Sequence, residues 1–124
     1  MVFKIDTTEF YSIITPIDRA ADAKMAEKLK GECIELGQRG SDGYIIDMKN
    51  CSAIDDETIG LLHNLHEFLY NSENSLVFIN MDNALLSKFQ NSESELIINI
   101  APTLEEAIDI INMDRLERDI LNGD

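Results

Sequence analysis

The residues Tyr44-Ile45-Ile46-Asp47-Met48, a loop over 49–54, and Asp55-Asp56-Glu57-Thr58-Ile59-Gly60-Leu61-Leu62 carry the change of period that decides the fold. The first five follow the turn residues Gly40-Ser41-Asp42-Gly43 and read as a buried strand. After the loop the pattern becomes helical, with Leu61, Leu62, Leu65, Phe68 and Leu69 marking an apolar face. The polar stretch from Asn71 to Ser75 ends that helix. Leu76-Val77-Phe78-Ile79 then reads as a second strand, apolar on both faces and bounded by turn residues. Strand, helix and strand in this order form a crossover unit, which is right-handed and sets its strands parallel.

The same alternation extends in both directions. Upstream, Phe10 to Thr15 reads as a strand stopped by Pro16, preceded by an edge strand at Val2 to Ile5. From about Arg19 to Gly37, Ala21, Met25, Ala26, Leu29, Cys33 and Leu36 recur at spacings of three and four, which predicts an amphipathic helix. Downstream, Asp82 or Asn83 caps a short helix carrying Leu85, Leu86 and Phe89. Leu96 to Ile100 is another strand. Thr103-Leu104-Glu105-Glu106 is a capping box, in which Thr and Glu three apart satisfy each other's backbone donors. Its helix buries Leu104, Ala107, Ile108 and Ile111, and the tail after about Met113 either extends it or frays. The expected fold is α/β, one domain over 1–124, with a mainly parallel four- to five-stranded sheet, mixed at its N-terminal edge, and about four helices.

Composition narrows the function classes. Twenty-four acids against ten bases give a formal charge of −14, a surface that repels phosphate backbones and anionic lipid and favours a basic protein partner. No apolar run is long enough to span a membrane, and the N-terminus lacks a signal-peptide pattern. Cys33 and Cys51 lack CxxC spacing and read as reduced thiols, as expected in the cytoplasm.

The marks of catalysis are missing. There is no GxSxG elbow, no GxxxxGK loop and no GxGxxG after the first strand. A phospho-receiver site needs a cluster of acids and a late lysine, whereas Asp47 stands alone and no lysine follows Gln90. His63, His66 and Glu67 form HxxHE, but both histidines are placed one residue beyond the buried stripe, toward solvent, so no metal site is expected. No cofactor is expected either, and the chain reads as a binding protein and not an enzyme.

The feature left over is Asp55-Asp56-Glu57 at a helix start. One acid serves as the cap, Asp55 or Asp56, and helix dipole and free N–H groups favour negative charge there. Three in a row exceed what a cap requires and read as charge presented to a partner.

Asp47-Met48-Lys49-Asn50 followed by Ile54 to Leu62 resembles the signature of the STAS domain, the anti-sigma factor antagonist family. That pattern runs strand, Asp-Leu-Ser-x, a short loop, Asp-Ser-Ser-Gly-Leu-Gly, then helix. Thr15-Pro16-Ile17-Asp18 is similar to its Gly-x-Leu-Asp segment, Leu76 to Asn80 to its Leu-Val-Leu-x-Asn strand, and Thr103 to Ala107 to its Thr-x-Glu-Glu-Ala helix. The resemblance implies binding to an anti-sigma factor that is also a serine kinase, with phosphorylation at the start of this helix weakening the complex and a cognate phosphatase reversing the mark. It also implies a partner surface at Asp55, Asp56, Glu57, Thr58 and Gly60, with Asp18 nearby. Aligned through Asp55 and Gly60, the family's two serines fall on Asp56 and Glu57 and its first glycine on Thr58. The acceptor-equivalent residue is therefore Glu57, which a serine kinase cannot phosphorylate, and Thr58 is the substitute acceptor to test. The alternative function is a small-ligand- or nucleotide-binding or scaffolding regulatory domain without phosphorylation control.

Overall fold

The computed structural model describes residues 3–91 and 99–122. Its main sheet has five strands in the order β1 (Phe3–Thr7), β2 (Tyr11–Pro16), β4 (Gly43–Asp47), β6 (Ser75–Ile79) and β7 (Asn99–Ala101). β1 runs antiparallel to β2, and every other neighbouring pair is parallel. The helices are α1 (Ala23–Gln38), α2 (Asp56–Asn71), α3 (Asn83–Gln90) and α4 (Leu104–Leu121). A separate two-residue pairing joins β3 (Ala20–Ala21) to β5 (Ala53–Ile54). The α/β reading, the four helices and the sheet mixed at its N-terminal edge agree with the sequence. Val2 and Leu96 to Ile98, expected in strands, lie outside the described residues.

The parallel strands are apolar on both faces because both faces are covered. On β4 and β6, Tyr44, Ile46, Leu76 and Phe78, with Met48 just after β4, pack with Met25, Leu29 and Cys33 of α1, Ile59, Leu62 and Leu69 of α2, and Leu85 and Phe89 of α3. The rings of Phe78 and Phe89 stand 5.8 Å apart in a tilted pair. The alternate residues Ile45, Val77 and Ile79 meet Ala107 and Ile111 of α4 on the opposite face. A period of two along each strand thus feeds two cores.

Side-chain caps set the helix starts. Asp22 Oδ1 accepts from Met25 N at 2.8 Å, and Asp82 Oδ1 accepts from Leu85 N at 2.8 Å. Thr103 Oγ1 accepts from Glu106 N at 3.2 Å, one arm of the expected capping box. Such caps contribute about 0.5–2 kcal/mol each.

Several expectations need correction. α1 begins at Ala23 and not near Arg19, because Ala20 and Ala21 are extended and pair with Ala53 and Ile54. Leu104 is exposed at the first turn of α4, while Ala107 and Ile111 carry its buried face. Of the two readings left for the tail after about Met113, the helical extension holds, since α4 continues to Leu121. His66 is buried, not solvent-facing. The buried face of α2 runs through Thr58, Ile59, Leu62, Leu65, His66 and Leu69, so the imidazole falls inside it, while Phe68 is exposed.

Candidate functional site

The loops that leave the C-terminal ends of the parallel strands gather at one end of the sheet, where the crevice of an open α/β sheet forms. Two of them, the exits of β2 and β4, are tied together by three hydrogen bonds onto main-chain carbonyls. Ser52 N donates to Arg19 O at 2.8 Å, Asn50 Nδ2 to Pro16 O at 3.3 Å, and Cys51 Sγ to Asp18 O at 3.4 Å. The β3–β5 pairing continues this seam to the residue before Asp55. Asp18, exposed, is thus held beside the loop that leads into α2.

Asp47 ends β4 and is nearly buried. Its Oδ1 accepts from Lys49 N and from Asn80 Nδ2, each at 3.1 Å, and Lys49 Nζ lies 3.9 Å from Oδ2. Asn80 takes the left-handed backbone region at φ 58°, which an asparagine tolerates better than most residues. One carboxylate therefore fastens the β4 and β6 exits to each other. Nothing in the sequence paired Asp47 with Asn80; the two are thirty-three residues apart.

At the α2 start, Asp55 is the cap. Its Oδ1 accepts from Thr58 N at 2.8 Å and from Thr58 Oγ1 at 2.5 Å. The Thr58 hydroxyl bond, then the Thr58 N–H bond, lower the Asp55 pKa below the usual carboxylate value, with Lys88 of α3 adding a smaller effect in the same direction. Asp56 and Glu57 follow in the first turn, both exposed. Gly60, half-buried, has open space where a Cβ would stand, so packing within the chain does not demand glycine there.

Thr58 is placed otherwise than expected. It is fully buried and its hydroxyl is engaged by Asp55. A kinase would have to unwind the first turn of α2 to reach this hydroxyl, which counts against Thr58 as the substitute acceptor. The structure brings Asp55, Asp56, Glu57 and Gly60 onto one helix start, with Asp18 on the adjoining loop. Among the described residues no group of three or more His, Cys, Asp or Glu is arranged to hold a metal ion. His63 Nε2 lies 3.7 Å from Glu67 Oε1, and His66 stacks on Tyr70 at 6.1 Å.

The sequence matches the STAS domain family over residues 4–107. The chain belongs to that family. Solved structures show the same fold at low identity. The unphosphorylated anti-sigma factor antagonist SpoIIAA is 20% identical over 90% of this chain and 96% of its own, with a TM-score of 0.68. The phosphorylated Bacillus SpoIIAA is 20% identical over 89% of this chain and 99% of its own, with a TM-score of 0.61. A serine-to-glutamate form of Moorella thermoacetica RsbS is 15% identical over 94% of this chain and 97% of its own, with a TM-score of 0.66. Comparison with curated protein sequences gives no match. No described helix of this STAS domain is long and apolar enough to cross a membrane. The Thr58 side chain turns inward onto the cap.

Proposed function

We propose that this STAS domain is a regulatory binding module for a kinase-like anti-sigma factor or related regulator, acting in the cytoplasm in a partner-switching pathway. The contact surface is the start of α2, with Asp56, Glu57 and Gly60 facing the partner, Asp55 shaping the turn, and Asp18 at its border. The observation that carries the reading is the pair of exposed acids, Asp56 and Glu57, on a helix start held rigid by the Asp55–Thr58 bonds. Gly60, one turn on, leaves room for a partner to approach the helix backbone.

Glu57 stands at the acceptor-equivalent position. A carboxylate carries one charge and two oxygens where phosphoserine carries about −1.5 to −2 charges and three. The domain therefore presents permanent negative charge where switched relatives gain and lose it, and binding here runs without phosphorylation of this helix. That one relative was solved with glutamate in place of serine, and another with phosphate attached, supports treating this charge state as a functional variable.

The test is capture from native lysate with wild-type and Glu57→Ser forms, read by mass spectrometry. A kinase-like anti-sigma factor held more strongly by one form is the expected result. Equal capture of that protein by both would overturn the assignment of Glu57 to the contact.

A further inference from the structure

α4 runs to Leu121, well beyond residue 107 where the family match ends. This extension is anchored. Arg115 donates to Asp42 and its guanidinium lies 4.0 Å over the Phe10 ring. Arg118 Nη2 donates to Ser75 Oγ at 2.8 Å, and Ser75 Oγ donates to Asp114 Oδ2 at 2.7 Å. These contacts fix the rotation of the helix about its axis. They turn both of its cations toward the sheet.

The outward side is then apolar. Met113, Leu116 and Ile120 are 70%, 62% and 68% exposed and recur at spacings of three and four, opposite the buried Ala107 and Ile111. Exposed carboxylates border the stripe: Glu106 and Asp109 before Met113, Glu117 and Asp119 after it. Arg115 and Arg118 are engaged and α4 contains no lysine, so no base of this helix offsets these carboxylates. A second copy would set these acids against their own kind in a chain already at −14, which disfavours self-pairing.

We propose that the outward stripe of α4 is a second docking surface, taking an amphipathic helix of a partner protein whose apolar ridge is flanked by Lys or Arg. It is separate from the α2 start and does not depend on it. The probe is a fluorescein-labelled synthetic helix with Leu at heptad positions a and d and Lys at e and g. Its twin carries Glu at e and g. Each is titrated with the full chain and followed by anisotropy.

The Lys peptide is expected to bind and the Glu peptide not. Leu116→Ser with Ile120→Ser should weaken binding by about tenfold or more, with an unchanged melting temperature because both residues are exposed. Glu57→Lys should leave it unaltered, which separates this surface from the α2 site. Failure of the Lys peptide to bind, equal binding by the Glu peptide, or unchanged binding by the double variant would overturn the proposal. So would a sedimentation-detected dimer of the wild-type chain that the double variant abolishes, which would assign the stripe to a second copy.

Discussion

A single oxygen of Asp55 accepts both the main-chain N–H and the side-chain hydroxyl of Thr58, at 2.8 and 2.5 Å. The carboxylate that caps α2 thereby also satisfies the one polar side-chain group that the helix start buries. An unsatisfied buried hydroxyl would be costly, so the cap and the buried threonine depend on each other. The result is a fixed turn from which Asp56 and Glu57 project.

Thr58→Val keeps the shape and the main-chain bond but removes the hydroxyl bond. It should destabilise the domain by about 1 kcal/mol in urea denaturation. Asp55→Ala removes both bonds and strands the hydroxyl, so its melting temperature should fall further than that of Thr58→Val. A smaller effect for Asp55→Ala would contradict the paired role.

Gly43 and Gly60 should respond in opposite directions to the same change. A Cβ on Gly43 would lie 2.7 Å from Ile111 Cγ2, where β4 meets α4, so Gly43→Ala should destabilise by about 1–3 kcal/mol. A Cβ on Gly60 meets nothing, so Gly60→Ala should leave the fold intact or stabilise it by up to about 1 kcal/mol through helix propensity. Chemical denaturation of the two variants checks both signs.

His66 should make stability depend on pH. Burial, and then the neighbouring His63, hold its pKa below 6.5, against weaker opposing effects of Asp114, Glu67 and the Leu76 main chain. The unfolded chain therefore takes up a proton at higher pH than the folded one. The contribution of neutral His66 is complete above 6.5 and is lost as the pH falls below that value through the folded pKa. The melting temperature of the wild type should drop more steeply between about pH 7 and 5 than that of His66→Gln. Parallel profiles would show that His66 is not the responsible group.

Cys33 and Cys51 are both free and buried. Burial pushes the Cys33 thiol up to about 12 and raises Cys51, where Asp18 and Asp47 add to the effect. Neither supplies appreciable thiolate at neutral pH. A thiol reagent at pH 7.5 should modify neither cysteine in the native state and both in denaturant. Rapid native labelling of either would place it in an accessible site.

What the sequence disclosed follows the strength of its periodic signals. Leu76 to Ile79 is buried throughout, and the α1 residues Met25, Ala26, Leu29, Cys33 and Leu36 all face the core, because spacing alone determines these faces. The β3–β5 pairing was illegible since two residues carry no period, yet it sets where α1 begins and holds Asp18 beside the α2 loop. His66 was misplaced although Leu62, Leu65 and Leu69 are buried as read, because the buried face is wide enough to take in the residue beside Leu65. The burial of Thr58 depends on a hydrogen bond to the cap and not on hydropathy. The Asp47–Asn80 and Asp42–Arg115 pairs join residues far apart in the chain, and a single sequence holds no record of such contacts. The acids of the candidate site were legible because three in succession exceed the needs of a cap.

On the proposed reading, Glu57 lies in the contact with the kinase-like partner. The most direct measurement is the affinity of that partner for wild-type, Glu57→Ala and Glu57→Lys forms, with melting temperatures recorded alongside. Unchanged melting is expected, with a loss of affinity that grows from Ala to Lys and reaches about tenfold or more as the charge is reversed. Equal affinity across the three, with all of them folded, would contradict it and move the contact away from the start of α2.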